Sequence, residues 1–178
     1  MKKESIAFVV VIALVILTGL GSARAESTSI NGNAFVVDPY TKWLGSSKSI
    51  GYLVDGQAFA YEKGSAFTFA PVQLPDGALV TGIKCVVKDN SETGYIQANL
   101  IRGPINIVDP AYTSQIVAYA STPTVGPSPN FQEIFGTANA NYAAVDNTSY
   151  GYFFRVDFLS NPGINDKNLT LRGCVVSY

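Results

Sequence analysis

The chain has 178 residues, of which 47% are hydrophobic and 14% charged, with a formal net charge of −1. That length suits one hydrophobic core, and so balanced a charge lacks the basic surface that displaces counterions from phosphate, which argues against nucleic acid as a partner. Histidine is absent, which removes Ser/His/Asp and Cys/His nucleophile arrangements and His-containing metal sites together.

Positive charge at Met1, Lys2 and Lys3 precedes an apolar stretch from Ile6 to Leu20, then Gly21-Ser22-Ala23-Arg24-Ala25. Charged start, short apolar run and small residues at Ala23 and Ala25 have the form of a secretory signal peptide over 1–25, cleaved before Glu26. The apolar run is shorter than the roughly 20 residues that span hydrocarbon comfortably. The expectation is therefore a secreted protein, extracellular, at the cell surface or in the periplasm, with no stable transmembrane anchor after cleavage. Cleavage removes Lys2, Lys3, Arg24 and Glu4, leaving nine basic and twelve acidic residues and a net charge of −3.

Residues 26–33 read as a flexible N-terminal segment, or as a strand lent to a neighbouring subunit, because exposed sheet edges accept such additions. The remainder, 34–178, reads as a single domain. A short strand is expected at Ala34–Val37, ended by Asp38-Pro39. Ile50–Val54 and Gln57–Tyr61 form a hairpin through Asp55-Gly56, two residues that tolerate positive φ. Ala66–Val72 is an apolar strand, and Leu74-Pro75-Asp76-Gly77-Ala78 a turn. Leu79–Lys88 follows with Ile83, Cys85 and Val87 on one face. Ile96, Ala98 and Leu100 alternate with Gln97, Asn99 and Arg102 in the next strand, and Ser114–Ala120 is another.

Pro123, Pro127 and Pro129 make Thr122–Asn130 a loop. Phe131–Ala144 has a mild helical leaning, from Glu133 and four alanines, which Gly136, Asn139 and Asn141 weaken. In Tyr150–Leu159, Tyr152, Phe154, Val156 and Phe158 share a face opposite Arg155 and Asp157. In Leu169–Tyr178 simple alternation puts Cys174 beside Arg172, and a bulge at Gly173 would turn it inward. Eight or nine strands with such turns predict an all-β, antiparallel two-sheet β-sandwich or jelly roll.

Cys85 and Cys174 are the only cysteines, and an even number in an exported chain predicts one disulfide. Lys84-Cys85-Val86-Val87 echoes Gly173-Cys174-Val175-Val176, and Asp89-Asn90-Ser91 echoes Asp146-Asn147-Thr148. Two hairpin corners that need the same turn chemistry explain the echo better than a duplication, because the offsets differ.

The segment from Phe69 to Thr81, with its Leu74-Pro75-Asp76-Gly77-Ala78 turn, resembles the signature of an uncharacterised group of secreted bacterial β-sandwich proteins. Val145-Asp146-Asn147-Thr148-Ser149-Tyr150 and Leu171–Tyr178 resemble that group's second corner and last strand. The resemblance spans residues 50–178 and implies an extracellular sandwich, with no catalytic residues to carry over.

Paired carboxylates are the remaining route to catalysis, since a glycosidase needs two. The candidates are Glu62, Glu92, Glu133, Asp109, Asp146 and Asp157, most of them at turns, and Arg155 stands ready to pair with Asp157. No cofactor is expected. Calcium is the one metal to weigh, through loop oxygens of Asp89, Asn90 and Glu92 or of Asp146 and Asn147, although Asx side chains also cap turns.

Ten tyrosines, ten phenylalanines and Trp43 offer rings for carbohydrate stacking or subunit packing. Tyr95, Tyr112, Tyr119, Tyr142, Tyr150 and Tyr178 are the tyrosines to watch, and Trp43 with Tyr40 is the preferred binding probe. The leading expectation is a noncatalytic structural or surface-interaction protein that self-associates or joins other surface components. The alternative is a lectin-like carbohydrate-binding module with glycans as partners.

Overall fold

A computed structural model describes residues 25–37, 50–52, 57–60, 66–105, 113–159 and 168–178. They form strands β1 Ser27–Asn31, β2 Val36–Val37, β3 Ile50–Tyr52, β4 Ala58–Ala60, β5 Ala66–Val72, β6 Gly82–Asp89, β7 Tyr95–Pro104, β8 Gln115–Ser121, β9 Ser128–Thr137, β10 Tyr150–Leu159 and β11 Leu169–Ser177. Short 3-10 turns occupy Gly32–Ala34 and Thr122–Thr124. One sheet has the order β3-β4-β11-β6-β9, with β1 also on β11, and the other β2-β5-β10-β7-β8. Every pairing between these strands is antiparallel. The protein is thus an all-β, two-sheet antiparallel sandwich, as the alternating pattern predicts.

The alternation explains the core. Ile83, Cys85 and Val87 of β6, Ile96, Ala98 and Leu100 of β7, and Tyr152, Phe154, Val156 and Phe158 of β10 are all buried. Side chains two residues apart share a sheet face, so each strand delivers its apolar set to the space between the sheets. Phe35, Ile134, Leu169 and Leu171 complete the filling.

Cys85 and Cys174 are directly opposite each other on β6 and β11 and form a disulfide. The bulge expected near Gly173 is there: Leu171 pairs with Val87 and Gly173 with Val86, leaving Arg172 as the extra residue. It resets the phase, so that Leu171, Cys174 and Val176 all face the core.

Several expectations need correction. Residues 26–33, read as flexible or lent to a neighbour, contain β1, which pairs along its length with the chain's own β11. Glu26 N–H donates to Tyr178 O at 2.9 Å, extending the ladder. In Ala34–Val37, Ala34 belongs to a 3-10 turn and only Val36–Val37 is strand.

The helical leaning of Phe131–Ala144 is overturned, and the loop of Thr122–Asn130 is shortened, because β9 starts at Ser128 and runs to Thr137. Its core-facing positions are Gln132, Ile134 and Gly136, while Phe131 and Phe135 face outward, so the apolar pattern does not announce a strand. Pairing with β6 makes it one, and its place at the sheet edge accommodates Pro129.

The Ile50–Tyr52 and Ala58–Ala60 strands pair in hairpin register, while the Asp55-Gly56 turn lies outside the described residues. So do residues 1–24, which carry most of the expected signal peptide. Among the described residues no helix is long and apolar enough to cross a membrane.

The two sheets touch along one edge. Asn139 N–H donates to Val117 O at 2.7 Å, and Ala138 bridges to Ala118. A Cβ on Gly136 would overlap the carbonyl oxygen of Tyr119, so only glycine lets β9 pass β8 there.

Candidate functional site

The outer face of the six-stranded sheet carries a broad groove. In register, Thr137 of β9, Gly82 of β6, Ser177 of β11 and Ser27 of β1 form one row across the strands. Phe135, Lys84, Val175 and Ser29 form the next, and Glu133, Val86, Gly173 and Asn31 the one after. Glycine stands at the middle of the first and third rows, where a missing side chain leaves a hollow. A Cβ at Gly82 would come within 2.6 Å of Gly136 O, and one at Gly173 within 2.6 Å of Ile30 O, so any larger residue would press on the neighbouring strand.

The hollow over Gly82 measures about 630 Å³ and is bordered by Thr81, Lys84, Tyr119, Phe135, Thr137 and Ser177. The hollow over Gly173, about 310 Å³, is bordered by Ser29, Asn31, Val86 and Arg172, and both reach Val175. From Gly82 to Val86 is four residues, or about 13 Å along the strand. The two hollows, which meet at Val175, together extend farther than a single sugar ring.

Phe135 and Tyr119 at the first hollow, and Phe131 farther along β9, are accessible. Phe135 is 62% exposed, Tyr119 44% and Phe131 38%. Singly exposed apolar residues are common, but rings beside one groove form a surface. Lys84 Nζ donates to Glu133 Oε1 at 2.8 Å, and Thr81 Oγ1 to Ser177 O at 3.1 Å. The site combines ring faces with hydroxyls, amides and cations, which suits holding a polar ligand that has an apolar face.

Asp157 lies on the outer face of the other sheet. It is 5% exposed and accepts from Arg155 Nε at 2.7 Å, while the same guanidinium lies 4.5 Å from the ring of Phe67. Burial raises its pKa above the ordinary carboxylate value, and Arg155 holds it partly back. Asp157 and Glu133 are therefore on opposite outer faces and cannot flank one bond. Asp146 is a turn residue, Glu92 lies in the turn after β6, and Glu62 and Asp109 lie outside the described residues.

The calcium candidates divide between the two ends of the sandwich. Asp89 accepts from Ser91 N–H at 3.1 Å and from the hydroxyl of Thr122, whose Oγ1 accepts in turn from Ile96 N–H. Asp146 Oδ1 accepts from Thr148 N–H, the Thr148 hydroxyl and Ser149 N–H. These bonds to the charged form lower the pKa of Asp146. Asn147 donates to Leu74 O and Asp76 Oδ1, and Asn90 N–H donates to Asn168 O.

Both Asx corners thus bond their own backbone two residues on, the shared turn chemistry that the sequence echo implies. Among the described residues no group of three or more His, Cys, Asp or Glu could hold a metal ion.

Trp43, Tyr40 and Tyr112 lie outside the described residues. Of the other tyrosines, Tyr119 borders the groove and Tyr95 is exposed elsewhere. Tyr142 and Tyr150 sandwich the Arg102 guanidinium at 4.7 and 4.3 Å, closing one end of the core, and Tyr178 shares a hydrogen bond with Thr28. Phe135, Lys84 and Gly82 were not singled out from sequence as site residues. The signal lay in Phe131 and Phe135, four residues apart and therefore on one strand face, but only once β9 is known to be a strand.

No protein-family model and no curated protein matches the chain. Among solved structures it is similar to the xylan-binding module CBM15, with 10% identity and a TM-score of 0.53 over 86% of this chain and 96% of that one. It is also similar to the C-terminal CBM6 of LamC, a marine laminarinase from Zobellia galactanivorans, at 10% identity and TM-score 0.51, covering 86% of this chain and all of that one. A third likeness is to the CBM22-1–GH10 modules of Clostridium thermocellum xylanase 10B, at 10% identity and TM-score 0.50 over 86% of this chain but 28% of that one. At these identities the comparisons show a shared fold, the two-sheet β-sandwich.

Proposed function

We propose that this chain is an exported, noncatalytic carbohydrate-binding module that holds an extended polysaccharide on the outer face of its six-stranded sheet. One observation carries the reading: Phe135, 62% exposed, stands beside a glycine-floored groove rimmed by Thr81, Thr137, Ser177 and Lys84. A sugar ring has an apolar face that stacks on an aromatic ring and an equatorial rim of hydroxyls that bond to such neighbours. Solved structures of similar fold include a xylan-binding module, which supports the choice of ligand class. The Cys85–Cys174 disulfide fits an oxidising, extracytoplasmic location and therefore the signal-peptide reading of residues 1–25.

Self-assembly through the N-terminal segment is the weaker reading, because β1 already pairs with β11 of its own chain. Affinity electrophoresis and calorimetry of the mature chain against a panel of soluble polysaccharides test the proposal. The expected result is retardation by at least one polymer, weakened at least tenfold by Phe135→Ala with unchanged circular dichroism and Tm. Retardation by none, or equal binding by Phe135→Ala, would overturn it.

A further inference from the structure

Charge is segregated on the same face. Lys84 and Lys88 point outward from β6, four residues apart, and the bulge in β11 raises Arg172 beside them. The other described cations are engaged elsewhere, Arg102 between two tyrosines and Arg155 with Asp157. Glu133 is the acid that the described strands place on this face, and Lys84 neutralises it at 2.8 Å. Lys88 and Arg172 have no acidic partner among the described residues. The sequence as a whole is net −1, whereas the described residues of this face carry an excess of positive charge.

Arg172 is also positioned. Its guanidinium lies 5.7 Å from the ring of Phe131, reaching across β6, and no carboxylate among the described residues pairs with it. A planar guanidinium offers the two-pronged donor geometry that a carboxylate accepts. Phe131 and Phe135 share the outward face of β9 about 13 Å apart, with Lys88 on the adjacent β6 and Arg172 on β11 beyond it.

We infer that the preferred ligand is a polysaccharide bearing uronic-acid carboxylates, its rings resting on Phe135 and Phe131 while Arg172 and Lys88 meet its charged groups. This rests on the glycan-binding reading of the same face.

The test compares the mature chain's affinity for polygalacturonate, fully methyl-esterified polygalacturonate, neutral xylan and dextran sulfate, at low and raised salt. Polygalacturonate is expected to bind at least tenfold tighter than its ester, the preference shrinking with salt and vanishing in the Lys88→Gln/Arg172→Gln double variant. Equal affinity for acid and ester overturns the inference while leaving glycan binding intact. Binding to dextran sulfate without polygalacturonate overturns the carboxylate assignment. Binding to no polymer removes both this inference and the function beneath it. Both substituted side chains are on the solvent side of the sheet, and an unchanged Tm separates lost recognition from lost folding.

Discussion

Asn147 is clamped to the turn at Asp76: its backbone N–H donates to Asp76 Oδ1 at 2.8 Å, and its side-chain amide donates to Leu74 O at 2.8 Å. The clamp joins two corners far apart in sequence. Around it Gly77 N–H donates to Val145 O, Val145 N–H to Ala78 O and Val80 N–H to Ala143 O. Gly77 sits at φ +73°, the left-handed region that only glycine enters at no steric cost. Asn147→Ala deletes the amide donor and leaves Leu74 O unsatisfied, so a loss of about 1–2 kcal/mol is expected in urea unfolding. Asp76→Ala should cost a similar amount, and a double-variant cycle should show coupling, because both changes loosen one corner. Simple additivity would show that the two bonds are independent.

Sandwich architecture was legible because β6 alternates throughout, and β7 from Ile96 to Leu100 and β10 from Tyr152 to Phe158 place apolar residues at every second position. Ile83, Cys85 and Val87 or Phe154, Val156 and Phe158 can be assigned to one face from spacing alone. Even the bulge was readable, since Cys174 fell out of phase with Leu171. What stayed hidden was β9. Its buried face offers Ile134 between Gln132 and Gly136, and its phenylalanines face solvent. The groove was illegible too. Its floor is made by residues without side chains, Gly82 and Gly173, whose proximity depends on the register of β9, β6, β11 and β1.

The disulfide joins positions 89 residues apart in sequence. Cross-linking so long a loop restricts the unfolded chain, and loss of such a bond from a secreted domain typically costs about 2–5 kcal/mol. The Cys85→Ala/Cys174→Ala variant is expected to show that loss in urea unfolding, with groove binding retained at low temperature. A change below about 1 kcal/mol would mean that the β6–β11 ladder alone holds this part of the sandwich.

Asp157 and Asp146 respond to acid in opposite directions. Burial raises the pKa of Asp157, so relative to the unfolded chain its stabilising contribution is present below the unfolded value and lost as pH rises through the folded one. Hydrogen bonds lower the pKa of Asp146, so its contribution is present above the unfolded value and lost as pH falls through the folded one. Asp157→Asn should therefore raise Tm slightly at neutral pH, Arg155 remaining partly hydrated, and should abolish the gain that wild type draws from protonating this group. A clear drop in Tm at neutral pH would show that the Arg155 pairing outweighs the cost of burying the charge.

Gly136 is where the edge of one sheet meets the edge of the other. An added Cβ would collide with the backbone of Tyr119, and backbone cannot rotate away as a flexible side chain can. Gly136→Ala must therefore push β9 from β8, breaking the Asn139–Val117 hydrogen bond and moving both Phe135 and Tyr119 at the groove. A cost of at least about 2 kcal/mol is expected, at the upper part of the range for overpacking, together with weakened polysaccharide binding. Gly151→Ala is the matched control, because a Cβ at Gly151 meets nothing within 4 Å. On a strand without strain that change should stay within about 0.5 kcal/mol. Should Gly136→Ala unfold and bind like Gly151→Ala, the contact between β8 and β9 would have to be loose enough to absorb a methyl group, and the groove would not depend on it.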